Sequence, residues 1–224
     1  MKVPYINLGI QHQNIMEELR SAFTKVVETG QFILGEELVK FEQSFAKLCG
    51  TKYAIGVANG TDALFLSMKV LGIKPGDEVI TAPNSFLASA SSIFLAGAKP
   101  VFADVCDDFN IDPSKIESAI TSRTKAIMPV HLTGRPADMD GIRSIAKIYN
   151  LFIIEDSAQA VGAEYKGKTT GSFGHTGCFS LHPLKNLSAC GDGGVITTNN
   201  EKIYKSLVIA RNHGLKNRDK CEFW

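Results

Sequence analysis

The sequence predicts an α/β fold of three layers, with a mostly parallel sheet covered by helices on both faces. Three observations predict it. Short apolar runs alternate with amphipathic segments along the chain. One run, Leu151-Phe152-Ile153-Ile154, lacks polar alternation, as expected of a strand buried on both faces. Glycines, acids and capping residues punctuate the places where such strands would end.

The elements follow in order. Ile15, Leu19, Ala22, Phe23 and Val26 form one helical stripe closed by Gly30, and Leu38, Phe41, Phe45 and Leu48 form a second closed by Gly50. Ala54–Ala58 reads as a strand, Asn59-Gly60-Thr61-Asp62 as a turn, and Ala63–Val70 as a helix. Lys74-Pro75-Gly76-Asp77 is a turn before the strand Glu78–Thr81. A helix over Leu87–Leu95 leads to the strand Pro100–Ala103. Asp112-Pro113 pairs an N-cap with proline at the first helical position and starts a short helix to Ile120. Lys125–Val130 is a strand, Met139–Tyr149 a helix and Leu151–Glu155 a strand. Cys178–Leu181 and Val195–Thr198 are shorter strands, and a helix runs from Glu201 to Arg211.

Composition narrows the function. The chain has 224 residues, a net charge of +1 and a pI of about 7.6, which argues against a polyanionic partner such as nucleic acid. The one basic cluster, Lys216, Arg218 and Lys220, is short. Met1-Lys2-Val3-Pro4 lacks the apolar core of a signal peptide, and no apolar stretch is long enough to span a bilayer. The five scattered cysteines form no CxxC pair, and the five histidines have no ligand spacing. A reduced, cytoplasmic protein without metal is expected.

Three groups at strand ends could carry chemistry. Gly60-Thr61 lies between a strand and a helix, so backbone N–H groups and the helix dipole could meet a phosphate; alone it is an ordinary capping turn. Asp156 ends a buried strand; alone it is a solvated acid or a cap. Lys185, in Ser180-Leu181-His182-Pro183-Leu184-Lys185-Asn186, is flanked by Leu184, Leu187 and Ala189, an apolar setting that would favour the neutral, nucleophilic amine. Together these groups suit pyridoxal 5'-phosphate (PLP): a lysine for the imine, an acid for the ring nitrogen, and Ser180 for the phosphate. Gln159 could reach the ring's phenolic oxygen, and Phe86 could be core or stack on a flat ring. His131 and His182 are open between structural and catalytic roles. Gly191-Asp192-Gly193-Gly194 precedes a strand, which favours a turn over a dinucleotide fingerprint.

These residues, with Gly60-Thr61-Asp62-Ala63-Leu64, Pro129-Val130-His131-Leu132, Glu155-Asp156-Ser157-Ala158-Gln159-Ala160, Arg211-Asn212-His213-Gly214 and Gly30-Gln31-Phe32-Ile33-Leu34-Gly35-Glu36, resemble the DegT/DnrJ/EryC1/StrS sugar aminotransferases, of PLP fold type I. The resemblance implies that residues 1–224 are the large PLP-binding domain, an N-terminal helical segment plus an α/β/α core. It also implies that the chain, ending at Cys221-Glu222-Phe223-Trp224, is a truncated form without a small C-terminal domain and poorly active alone. It implies an internal aldimine at Lys185, Asp156 on the ring nitrogen, Gln159 on the phenolic oxygen, Phe86 on the ring face, and Gly60, Thr61 and Ser180 on the phosphate. It further implies a cytoplasmic homodimer that moves an amino group from glutamate to a keto group of a nucleotide-linked sugar, as in polysaccharide biosynthesis. Ser188, Cys190 and Thr133 depart from the family's usual glycines and aromatic residue. Two alternatives stand beside this reading: a PLP-binding regulator or assembly subunit, and a sugar dehydratase of the same family, against which Lys185 argues because dehydratases carry histidine there.

Overall fold

The computed structural model describes residues 3–217 and 219–222. Met1 and Lys2, Arg218 of the basic cluster, and Phe223 and Trp224 at the chain's end lie outside the described residues. The chain divides into two compact units, Met1–Phe41 and Glu42–Trp224.

The first unit is helical. Asn7 caps α1 (Leu8–His12) by accepting the Ile10 N–H. The long helix α2 (Met16–Thr29) ends where Gly30 turns left-handed at φ 66° and donates its N–H to Val26 and Val27. The stripe read from the sequence is this helix. A third helix, α3 (Glu36–Cys49), starts in this unit and finishes in the next.

The second unit holds the sheet. In chain order its elements are β1 (Tyr53–Val57), α4 (Gly60–Val70), β2 (Glu78–Thr81), α5 (Leu87–Leu95), β3 (Lys99–Phe102), α6 (Pro113–Ala119), β4 (Thr124–Met128), α7 (Met139–Ile148) and β5 (Phe152–Asp156). After them come β6 (Glu164–Tyr165), β7 (Lys168–Thr169), β8 (Thr176–Ser180), β9 (Gly194–Thr198), α8 (Glu201–Ala210), β10 (Leu215–Asn217) and β11 (Lys220–Cys221). Seven strands form one sheet in the order β1-β9-β8-β5-β4-β2-β3. The pairings β8–β5, β5–β4, β4–β2 and β2–β3 are parallel, and β9 is antiparallel to both its neighbours. Since β9 alone is reversed, the carboxyl ends of β1, β5 and β8 emerge at one edge, where ligands of open α/β sheets bind.

Alternation along the strands builds two cores. Val79, Ala126, Met128 and Ile154 join one cluster with Leu64 and Met68 of α4, Ile93 of α5 and Leu207 of α8. Their neighbours Ile80, Ile127 and Ile153 join the other with Ile116 of α6 and with Met139 and Ile142 of α7. The unbroken apolar run before Asp156 is thus two half-runs, one for each face. The three layers are those the sequence predicts, and β2 and α5 match residue for residue. Other predicted elements shift by a few residues. The largest shift is at α4, which begins at Gly60 rather than Ala63 because the Asn59 side chain accepts the Asp62 N–H and draws the turn into the helix.

Two small hairpins are absent from the sequence reading. The β6–β7 hairpin turns at Lys166-Gly167, with φ of 52° and 75°, and β10 pairs with β11. Strands of two or three residues are too short for alternation to reveal them. Among the described residues, no helix is long and apolar enough to cross a membrane.

Candidate active site

At the carboxyl edge of the sheet lies a cavity of about 410 Å³. Gly60 and Thr61 enter it from the start of α4, Asp156 from the end of β5 and Ser180 from the end of β8. Gln159, Lys185 and Phe86 complete the set of candidates, so residues spread over more than half the chain meet around one space.

The α4 end of the cavity follows from helix geometry. The Asn59 side chain takes the Asp62 N–H at 2.8 Å, and its carbonyl takes the Ala63 N–H at 3.1 Å. The N–H groups of Gly60 and Thr61 therefore stand at the helix start without intrahelical acceptors. A Cβ on Gly60 would lie 2.8 Å from the Ser180 Cβ, so only glycine lets the helix start approach Ser180 this closely. The Ser180 Oγ accepts the His182 N–H at 3.3 Å, which leaves its own proton to donate. Three donors beside the positive end of a helix dipole could receive an anion such as a phosphate group.

Asp156 is the buried charge of the site, 5 % exposed. Its Oδ2 accepts from the Ser89 hydroxyl at 2.7 Å and its Oδ1 from the Ala158 N–H at 3.2 Å. Burial pushes its carboxyl above the ordinary carboxylate range, while the Ser89 and Ala158 hydrogen bonds pull the other way.

Gln159 has a fixed orientation. Its Oε1 accepts the Thr133 N–H at 2.8 Å, so its NH2 group is the free end. Thr133 itself sits at φ 54°, unusual for a β-branched residue, with its hydroxyl bonded to the Leu132 carbonyl.

Lys185 lies on a loop held at its base by the Leu181 N–H to Gly193 and the Ala189 N–H to Leu181 bonds. The Lys185 N–H closes a turn on the His182 carbonyl at 2.8 Å, and the Asn186 amide ties the loop to the Val161 carbonyl. The apolar enclosure expected from Leu184 and Leu187 is absent. Both are exposed, because the loop crosses the surface; Leu184 borders the cavity beside the lysine but stays open to solvent, and Leu187 lies outside it. Phe86 precedes α5 on the cavity wall, with 73 % of its surface exposed, so it is not a core residue.

The two ambiguous histidines separate. His131 is fully buried; its Nδ1 accepts the Ala137 N–H, so its Nε2 carries the proton shared with Glu155 at 3.1 Å. Glu155 also accepts the N–H groups of Gly171, Phe173 and Gly174. That pair faces away from the cavity and holds the polypeptide together. His182 borders the cavity, with its Nδ1 accepting the Leu184 N–H at 3.2 Å.

The sequence reading missed Ser89 and the Glu155 network. A serine in the first turn of a helix has many uses, and its pairing with an acid 67 positions away leaves no local signal.

The fold is that of the PLP-dependent aminotransferases of fold type I, to judge by its solved neighbours. DesV from Streptomyces venezuelae, in complex with a ketimine intermediate, superposes with a TM-score of 0.96 at 41% identity, over 99% of this chain and 60% of that one. NtdA from Bacillus subtilis, with bound cofactor PMP, gives a TM-score of 0.94 at 36% identity, over 100% of this chain and 51% of that one. Residues 13–224 match the model of the DegT/DnrJ/EryC1/StrS aminotransferase family, and the chain belongs to that family.

Among curated relatives, a dTDP-3-amino-3,6-dideoxy-alpha-D-galactopyranose transaminase of Aneurinibacillus thermoaerophilus is 49% identical over 95% of this chain and 59% of its own length. A protein of Geobacillus stearothermophilus named a pleiotropic regulatory protein is 45% identical over 96% of this chain and 58% of its own. The chain thus spans somewhat under 60% of the length of these relatives.

Proposed function

We propose that this protein is a PLP-dependent aminotransferase that passes an amino group, with glutamate as donor, to a keto group of a nucleotide-linked sugar. The observation that carries the reading is the meeting of Lys185, the buried Asp156 carboxylate and the Gly60–Thr61 helix start on one cavity. The residues fit the cofactor on structural grounds: a phosphate cradle that a Cβ at Gly60 would fill, a buried acid and a lysine. The sugar nucleotide class is supported by relatives named as dTDP-sugar and UDP-sugar aminotransferases.

PLP, when bound, supplies an electron sink that lets a bond at an amino acid's α-carbon break. The protein's own groups do the rest. Gly60 N–H, Thr61 and the Ser180 hydroxyl would hold the phosphate. The Asp156 carboxylate would keep a proton on the ring nitrogen, and the Gln159 NH2 group would donate to the ring oxygen. The Phe86 ring would cover one face of the cofactor. The Lys185 Nζ would hold the cofactor covalently, and as a free amine it would carry the proton taken from the donor's Cα. Lys185 favours amino transfer over dehydration.

We further propose a cytoplasmic homodimer. Phe86 and Leu87 at the cavity rim are about three-quarters exposed, a large apolar surface for a cofactor site to leave in water.

The test is a half-reaction. PLP-loaded protein incubated with glutamate should lose its visible absorption and release 2-oxoglutarate. A cofactor left unchanged by glutamate refutes the aminotransferase. Retained PLP with no conversion would support the second reading, a PLP-binding regulator, which the name of the Geobacillus relative favours.

A further inference from the structure

Asp156 has two protein donors, one on each oxygen, and they come from different places. Ala158 belongs to its own segment. Ser89 belongs to α5, reaches across from the helix layer and is itself 1 % exposed. A buried helical serine ordinarily turns its hydroxyl back to a carbonyl of the preceding turn. This one gives it to a carboxylate at 2.7 Å, in the range of charge-assisted O–H···O⁻ bonds. The carboxylate has about four acceptor positions, and these two bonds occupy one on each oxygen. Two donors on opposite oxygens fix the rotation of the carboxylate plane and leave its other lone pairs for the cavity it lines.

We propose that Ser89 is a positioning residue for the reaction: its hydroxyl orients the Asp156 carboxylate and holds it in the ionised form that the ring nitrogen of PLP requires. This rests on the aminotransferase reading above for its consequence, but not for the contact itself. The groups around Asp156 are few. Lys185 faces it from the loop after β8 and favours its charge; His131, after β4, is a neutral ring turned to Glu155. Cys178 sits opposite it in β8, its thiol pushed well up by burial and therefore uncharged. Glu155, the adjacent acid, turns to the other face and is held there by His131 and three backbone donors. Among these, Ser89 is the neutral side-chain donor on the carboxylate, and burial is the force it works against.

The experiment compares Ser89→Ala with Ser89→Thr, which keeps the hydroxyl. In cofactor-free protein, the ¹³C carboxyl signal of Asp156 should titrate at higher pH in Ser89→Ala, with Ser89→Thr close to the wild type. In protein loaded with ring-¹⁵N PLP, the nitrogen signal of Ser89→Ala should move toward neutral pyridine and that of Ser89→Thr should not. PLP affinity should fall roughly tenfold in Ser89→Ala, the worth of one charge-assisted hydrogen bond. An unmoved Asp156 titration in Ser89→Ala overturns the inference whatever the cofactor does. A shifted titration with a ring nitrogen that ignores both Ser89→Ala and Asp156→Asn keeps the contact but overturns its role, and with it the placing of PLP against Asp156.

Discussion

Glu155 and Asp156 are adjacent in the chain and face opposite sides of one sheet. Glu155 is fully buried and accepts four hydrogen bonds, three from backbone N–H groups and one from His131, so its lone pairs are spent inside the protein. Asp156 is almost as buried, accepts two, and borders a cavity. Burial alone does not separate a structural acid from a functional one. The number of donors already committed does, because a carboxylate with open lone pairs is costly to keep in an apolar setting.

The comparison can be broken most decisively through its partner across the cavity. Lys185→Ala should cost at least about a thousandfold in turnover, since on the proposed function it removes both the nucleophile and the proton carrier. Thermal melting should show the fold intact, because the side chain is only half-buried.

The two acids should then part company. Glu155→Gln leaves backbone donors without a carboxylate oxygen and should cost about 3 kcal/mol of stability, read by denaturant unfolding. Asp156→Asn should abolish turnover yet raise the stability of the cofactor-free protein at neutral pH. The sign follows from the raised carboxyl. A buried acid with an elevated pKa favours folding while protonated, and that advantage is lost as pH rises through the folded pKa. The gain in Asp156→Asn should therefore vanish below about pH 4, the range of an unfolded aspartate, and appear as pH rises. Equal losses of stability in both variants would erase the distinction.

A smaller effect is expected at the cradle. Gly60→Ala drives a methyl against the Ser180 Cβ at 2.8 Å and should cost about 1–3 kcal/mol, with weaker PLP binding measured by equilibrium dialysis. The smallest is at the surface: the ion pair of Lys166 with Asp140 is solvent-exposed at both ends, and Asp140→Asn should change neither melting nor turnover.

Much of this was legible in the sequence, for physical reasons. Apolar runs bounded by glycine, proline and capping residues located the main strands and helices, and the segments at Gly60, Asp156, Ser180 and Lys185 converge on one cavity. Local patterns carried those signals. What local pattern could not carry was pairing at a distance. Ser89 and Asp156, or Glu155 and the N–H groups of residues 171–174, meet only after the sheet and its helices assemble. The Gln159 orientation depends on the left-handed backbone at Thr133, which its residue type disfavours. The exposure of Leu184 and Leu187 shows the opposite failure, in which apolar neighbours in sequence suggested an enclosure the loop does not form.

The central claim is that Lys185 is the residue that bonds the cofactor opposite Asp156. Borohydride reduction of PLP-loaded protein, followed by peptide mass spectrometry, tests it most directly. The account predicts a pyridoxyl-phosphate mass on Lys185. A label on another lysine, or no label on protein that has bound PLP, would contradict it.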